Sequence, residues 1–178
     1  NRKTWRQVAP YGGRKALLPT NPYCIGIPGG ERGPVVLDFA TSKIAGGWIY
    51  AARSAGATLP EGTVIDKEGN VTVDPEDYFS GGAILPSGEA KGYALGLMAE
   101  LIAEAMLGPA KLDANVLMIT LDTSRYSEPS RLSLVAEEIL AEMRDCPTAP
   151  GFETVQIPGE REREQLALSD GKIAIPEQ

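Results

Sequence analysis

Apolar positions fall in short runs broken by Gly and Pro, and their spacing changes character along the chain. Residues 1–34 carry Pro10, Gly12, Gly13, Pro19, Pro22, Pro28, Gly29 and Gly30, and read as turns around a short strand, Tyr23–Ile27. Val35-Val36-Leu37-Asp38 is an apolar run closed by an acid, the pattern of a buried strand. Thr41 or Ser42 then stands where a helix N-cap belongs. Ile44, Trp48, Ala51 and Ala55 recur every three or four residues, which predicts a helix with that face inward and Gly56 as its C′ residue. Gly46-Gly47 falls inside this helix, at about 1 kcal/mol per Gly relative to Ala, and so marks a close approach.

Residues 64–73 alternate around Lys67-Glu68-Gly69-Asn70, a hairpin pattern. Asp74-Pro75 reads as an N-cap with Pro at N1. Gly81-Gly82 and Pro86-Ser87-Gly88 frame a loop. The longest helical pattern, 91–107, has one seam of Tyr93, Leu97, Leu101 and Ala105 and another of Leu95, Met98 and Ile102, so burial on a broad face is expected, with Gly108-Pro109 as its end. Residues 116–121 read as an apolar strand. Ser130 is placed to cap a helix with Leu132, Val135, Ile139 and Met143 on one side, and a short strand over 154–157 precedes a charged helix start at Gly159. The order is mixed α/β without regular alternation, which predicts an α/β (α+β) fold with a mixed β-sheet flanked by helices rather than a doubly wound parallel sheet.

The length, 178 residues, allows one or at most two domains. The balance of 17 basic against 24 acidic residues repels phosphate backbones, so nucleic acid is not an expected partner. No apolar run reaches about 18 residues, so no membrane span is expected. Asn1-Arg2-Lys3-Thr4-Trp5 lacks the apolar segment of a signal peptide, and a start without Met reads as an internal piece of something longer. Two cysteines, Cys24 and Cys146, are too few for a disulfide framework, which makes a cytoplasmic location the default. Histidine is absent, removing the commonest general acid–base and metal ligand, and no metal-binding motif occurs.

Neither G-x-G-x-x-G after a strand nor the P-loop pattern is present, and Gly29-Gly30-Glu31-Arg32-Gly33 reads as a turn. Three constellations carry candidate chemistry. Asp38-Phe39-Ala40-Thr41-Ser42, at a strand end, offers backbone N–H groups to an anion or a carboxylate to ribose hydroxyls, or is simply a helix cap. In Gly88-Glu89-Ala90-Lys91-Gly92, Lys91 opens a helix and either meets a phosphate or is solvated. In Gly159-Glu160-Arg161, Arg161 and Arg163 either fork onto phosphate or belong to a solvated charge run.

Taken in order, these pieces resemble one family. Val8-Ala9-Pro10-Tyr11-Gly12-Gly13 is similar to its A-P-x-G-G turn, Thr20-Asn21-Pro22 to its G-T-N-P segment with Pro19 in place of Gly, and Leu37 through Ser42 to its L-D-[FM]-A-T-S. Leu59-Pro60-Glu61-Gly62, Asp74-Pro75, Gly81-Gly82, Leu85-Pro86, Lys91-Gly92-Tyr93 and Pro158-Gly159-Glu160 continue the match over nearly the whole chain. The family is the malate/L-lactate dehydrogenase type that is unrelated to the Rossmann lactate dehydrogenases, and it includes ureidoglycolate, sulfolactate and diketogulonate enzymes and cyclic imino-acid reductases. The resemblance implies a non-Rossmann NAD(P)-binding domain, here residues 1–158, with 159–178 returning towards a second domain. It implies hydride transfer between NAD or NADP and a 2-keto or 2-hydroxy acid or cyclic imine, and a homodimer. Residue by residue, it implies cofactor contacts at Thr4, Asp38, Phe39, Ala40, Lys91, Gly159, Glu160 and Arg161, and a substrate contact at Thr20.

The family's proton donor is a His in an amino-terminal segment, so the resemblance places no catalytic residue in this chain and implies that the chain alone is inactive. Trp48 stands where many members carry Lys and imino-acid reductases an acid, and Arg53 is the candidate for a 2′-phosphate contact. Two rival readings remain: a non-catalytic piece that binds dinucleotide or only pairs with a like subunit, and an α/β domain without nucleotide.

Overall fold

The hairpin expected over residues 64–73 is the centre of the core in the computed structural model, which describes residues 6–110 and 114–172. Tyr23–Ile27 forms β1, Val35–Phe39 β2, Val64–Ile65 β3, Val71–Thr72 β4 and Ala83–Ile84 β5. Strand β3 pairs antiparallel with β4, Val64 opposite Thr72, and with β5, Val64 opposite Ile84. The Asp66 carboxylate accepts the Gly69 and Asn70 amides at 2.8 Å each and so closes the turn. The Asn70 side chain, the largest influence, together with these amides holds that carboxyl below its ordinary range. Strand β5 lies where the sequence suggested a loop between Gly81-Gly82 and Pro86-Ser87-Gly88. Two residues are too few to show alternation, and pairing with β3 is what orders them.

The described residues fall into two compact units, one drawn from Asn1–Tyr23 and Phe39–Ile119, the other from Cys24–Asp38 and Thr120–Gln178. In the first, Val8, Leu18, Ile49, Leu59, Val64 and Ile84 form the main buried cluster. The expected mixed sheet resolves into two small sheets, β1–β2 and β4–β3–β5; the latter is antiparallel, and a parallel contact enters through the single bridge of Val8 to Ile84.

Helix α1, Gly46–Ala55, starts after Ala45 with no side-chain cap and ends on Gly56 at positive φ. Its two glycines sit in the first turn, not the interior, and a Cβ on Gly46 would come within 2.6 Å of Gln7 Oε1, so the close approach is real. The expected inward face is turned by about one residue. Ile49 is fully buried, with Ile44 and Ala52 against the core, while Trp48 is 69% exposed. Helix α2, Pro75–Phe79, begins as expected, with the Asp74 side chain accepting the Glu76 amide at 2.9 Å.

Helix α3, Ala90–Glu100, runs into a π-helical stretch, Leu101–Met106, and stops before Gly108. Its buried stripe is Gly92, Gly96 and Glu100, not the leucine seams; Leu95, Met98 and Leu101 are exposed. Gly92 faces inward where the Ser87 backbone leaves no room for a Cβ, and Gly96 where the Thr41 side chain crowds it.

In the second unit, Pro129 at N1 opens α4, Pro129–Arg144, and Ser130 does not cap it. Leu132, Ala136 and Leu140 are half-buried, whereas Val135, Ile139 and Met143 face outward. Helix α5 spans Glu160–Leu168. Strand β2 is only partly covered, and Leu37 and Asp38 are exposed. The strands expected over 116–121 and 154–157 do not form; Val116 is 80% and Met118 82% exposed. Apolar content makes a strand only where a hydrogen-bonded neighbour exists, and the described residues offer these segments none. Among the described residues, no helix is long and apolar enough to cross a membrane.

Candidate functional site

Thr20, Phe39, Ala40 and Lys91 lie in the first unit, and the side chain that organises them is Thr41. Thr41 is 2% exposed. Its amide donates to the Thr20 carbonyl at 2.9 Å. Its hydroxyl is a shared donor to the carbonyls of Thr20 and Asn21, at 2.9 and 3.1 Å. Its own carbonyl accepts the Ser87 amide at 2.9 Å, while the Lys43 amide donates to Leu85 at 2.8 Å, so residues 41–43 and 85–87 form a short antiparallel bridge. These bonds occupy the threonine that spacing offered as a helix cap; the Ser42 hydroxyl likewise turns to the Ile44 carbonyl at 2.8 Å.

Asn21 has φ 35°, and its side-chain amide donates to the Gly96 carbonyl at 2.8 Å and lies 3.4 Å from Glu100 Oε2. A Cβ on Gly96 would stand 3.0 Å from the Thr41 hydroxyl oxygen, so glycine is what lets α3 press against this turn. Tyr23 donates to the Leu95 carbonyl at 3.0 Å, and its ring stacks on Phe39 at 6.1 Å. Lys91 is exposed in the first turn of α3. Asn21, Gly96 and Glu100 were not singled out by sequence as parts of a site, and Thr41 entered only within the 38–42 constellation, as an anion-binding strand end or a helix cap. The Gly92–Gly96 spacing inside an otherwise apolar helix was the available signal.

Asp38, Gly159, Glu160 and Arg161 lie in the second unit. The Val36 amide donates to the Pro158 carbonyl at 3.1 Å and Arg163 Nη1 to the Pro34 carbonyl at 2.6 Å, docking the turn before α5 beside β2. Gly159 has φ 89° and packs on Val36, a conformation and a contact that suit only glycine. Glu160 Oε1 accepts Arg144 Nη2 and Nε at 2.7 and 3.2 Å, and Oε2 accepts the Ile157 amide at 3.3 Å. Arg144 also donates to Glu137 at 3.0 Å, and Glu137 accepts the Glu31 amide at 3.0 Å. Burial pushes the Glu160 carboxyl up, but the Arg144 hydrogen bond, the Ile157 amide and the Arg144 and Arg32 charges outweigh it and leave it below the usual range. Arg161 is exposed and pairs with Glu162 at 2.8 Å. Thr4 lies outside the described residues.

Arg53 is already engaged: it meets Glu76 at 2.6 Å and sits 4.3 Å over the Phe79 ring. Among the described residues, no group of three or more His, Cys, Asp or Glu side chains is arranged to hold a metal ion.

Small antiparallel sheets, several helices and a hydroxyl-centred turn bonded to the segment that leads into α3 define a mixed α/β protein with a candidate site at that turn. A family model described as malate/L-lactate dehydrogenase matches residues 2–178. The L-lactate dehydrogenase of Cupriavidus necator is 36% identical over 182 residues, covering 94% of this chain and 52% of that protein. A Delta(1)-pyrroline-2-carboxylate/Delta(1)-piperideine-2-carboxylate reductase of Pseudomonas putida is 35% identical, covering 96% of this chain and 52% of its own length. The solved sulfolactate dehydrogenase of Methanocaldococcus jannaschii matches with a TM-score of 0.78 at 30% identity, over 97% of this chain and 53% of that one. The chain belongs to the malate/L-lactate dehydrogenase family, and it spans about half the length of the curated relatives it matches.

Proposed function

We propose that this chain is the NAD(P)-binding part of an oxidoreductase that moves a hydride between nicotinamide and a 2-hydroxy or 2-keto acid. Family membership supports this reading, and the observation that carries it is the cradle around Thr41. There, a segment that resembles the family's substrate contact, Thr20-Asn21, and the approach to Lys91, which resembles a cofactor contact, are hydrogen-bonded to a third, Phe39-Ala40-Thr41. Each unit, taken by itself, carries groups of the kind a dinucleotide engages. In the first unit, Lys91 offers a free-standing cation in a helix first turn to a phosphate. In the second, Asp38 offers an exposed carboxylate at a strand end to ribose hydroxyls, and Arg161 is exposed in the first turn of α5, after the half-buried Gly159. The Arg161–Glu162 pair is solvent-exposed on both sides and so is readily exchanged for a phosphate contact. Both Glu160 oxygens are taken by Arg144 and Ile157, so its contribution is to shape the turn rather than to touch phosphate directly.

The nicotinamide supplies the hydride, and the chain binds and orients it. Thr20 contacts substrate, residues 1–158 form the NAD(P)-binding domain, and residues 159–178 return towards a second domain. The family resemblance makes a His the proton donor, and the sequence holds no histidine, so we assign that role to a residue outside this chain. A thermal melt with NADH and with NADPH tests the reading. Binding to the folded state stabilises it by about 2.7 kcal/mol at one hundred times Kd. A saturable rise in Tm with one cofactor is expected; no rise with either, from a cooperatively melting sample, overturns it.

A further inference from the structure

We propose that Thr41 is a positioning residue: it holds Thr20 and the segment leading to Lys91 in one arrangement, so that the two move as a unit. The part of this inference that concerns ligand binding rests on the reading of Thr20 and Lys91 given above.

Thr41 spends every hydrogen-bonding group it has on other segments: its amide, hydroxyl and carbonyl make four hydrogen bonds. Three go back to Thr20 and Asn21, and one comes from Ser87 at the entrance of α3. The hydroxyl adds what backbone bonds alone do not. It bridges two consecutive carbonyls across Asn21, whose φ of 35° is seldom occupied by a side-chain-bearing residue and needs such support. Helix α3 is clamped from the other side, because Gly96 lies against the same hydroxyl and binds the Asn21 side chain through its carbonyl. At the head of the helix, Gly92 lies so close to the Ser87 carbonyl that a Cβ there would collide with it. A shift of the 20–21 turn is therefore passed to the helix start that carries Lys91. A hydroxyl that merely satisfied itself in the core would need one carbonyl, not two, and no glycine of α3 pressed against it.

Thr41→Val keeps the shape and removes the hydroxyl, while Thr41→Ser keeps the hydroxyl. Amide hydrogen exchange on the unliganded chain reads the coupling without any cofactor. In Thr41→Val, exchange over residues 19–23 and 86–92 is expected to rise together by about tenfold, the scale of one lost buried hydrogen bond. The hairpin at 64–73 should stay unchanged, and Thr41→Ser should restore both segments. Unchanged exchange, a rise in one segment only, or a rise that includes the hairpin overturns the proposal. Gly96→Ala, which crowds the hydroxyl without removing it, is expected to loosen the same two segments. Titration with NADH and NADPH, followed by nicotinamide fluorescence, then reads the consequence. For a cofactor that the unmodified chain binds, Thr41→Val should weaken Kd by about tenfold, the same lost bond. Equal affinity despite loosened segments overturns the positioning role. If the unmodified chain binds neither cofactor while the exchange pattern appears, the coupling stands and the cofactor reading falls.

Discussion

Glu160 shows what a single charged residue does in this chain. Sequence places it in a turn resembling a cofactor contact; the structure gives its carboxylate to Arg144, with side chains only 12% and 14% exposed, and to the Ile157 amide. Arg144 reaches on to Glu137, which receives the Glu31 amide, so one guanidinium ties the loop after β1 to the turn before α5. Because the Glu160 carboxyl is held below its unfolded range, its stabilisation is complete above that range and is lost as pH falls through the folded value. Melting from pH 7 to pH 3 should therefore show the unmodified chain well above Glu160→Gln at neutral pH and the two curves converging in acid. A gap that stays constant with pH would show that the charge is not what matters. Arg144 itself has no local signature in the sequence, because its partners lie seven and sixteen residues away on the chain.

At the scale of elements, local chemistry was legible and orientation was not. The Asp74-Pro75 helix start, the Asp66–Asn70 turn and the Gly56 helix end depend on residues within a few positions of one another, and all three appear as expected. The inward face of α1 does not, because its entry is fixed by the bridge between 41–43 and 85–87 rather than by its own periodicity. Truncation separates the two faces. Ile49→Ala is expected to cost about 2–4 kcal/mol in urea unfolding, as a fully buried side chain should. Trp48→Ala, on the face that periodicity favoured, should stay within about 0.5 kcal/mol. Equal losses would return the helix to its expected face. In α3 the same competition goes to glycine, since Gly92 and Gly96 bring the helix against Ser87 and Thr41 where leucine would not fit.

For the whole molecule, the family is established over nearly the full chain, while the relatives are about twice as long. Much of the apolar surface is therefore uncovered here: the outward stripe of α4, Val135, Ile139 and Met143, and the run at 116–121. The family resemblance implies a homodimer, and we propose that burial of such surface drives it. Light scattering on a sizing column should give about twice the 18.9 kDa chain mass. A mass of one chain across micromolar concentrations would remove the dimer from the reading.

Ordered motifs over most of the chain were enough to identify the family, because glycines, prolines and acids at turns act through local backbone geometry that survives out of context. Tyr23–Ile27, β2 and the 64–73 hairpin were readable for the same reason. Strand β5, the faces of α1 and α4, the failed strands at 116–121 and 154–157, and the roles of Thr41 and Arg144 were not. Each depends on a hydrogen-bonded or packed neighbour far along the chain, and no local pattern encodes which neighbour arrives. Periodicity says that a face is apolar; only the folded chain says whether anything covers it.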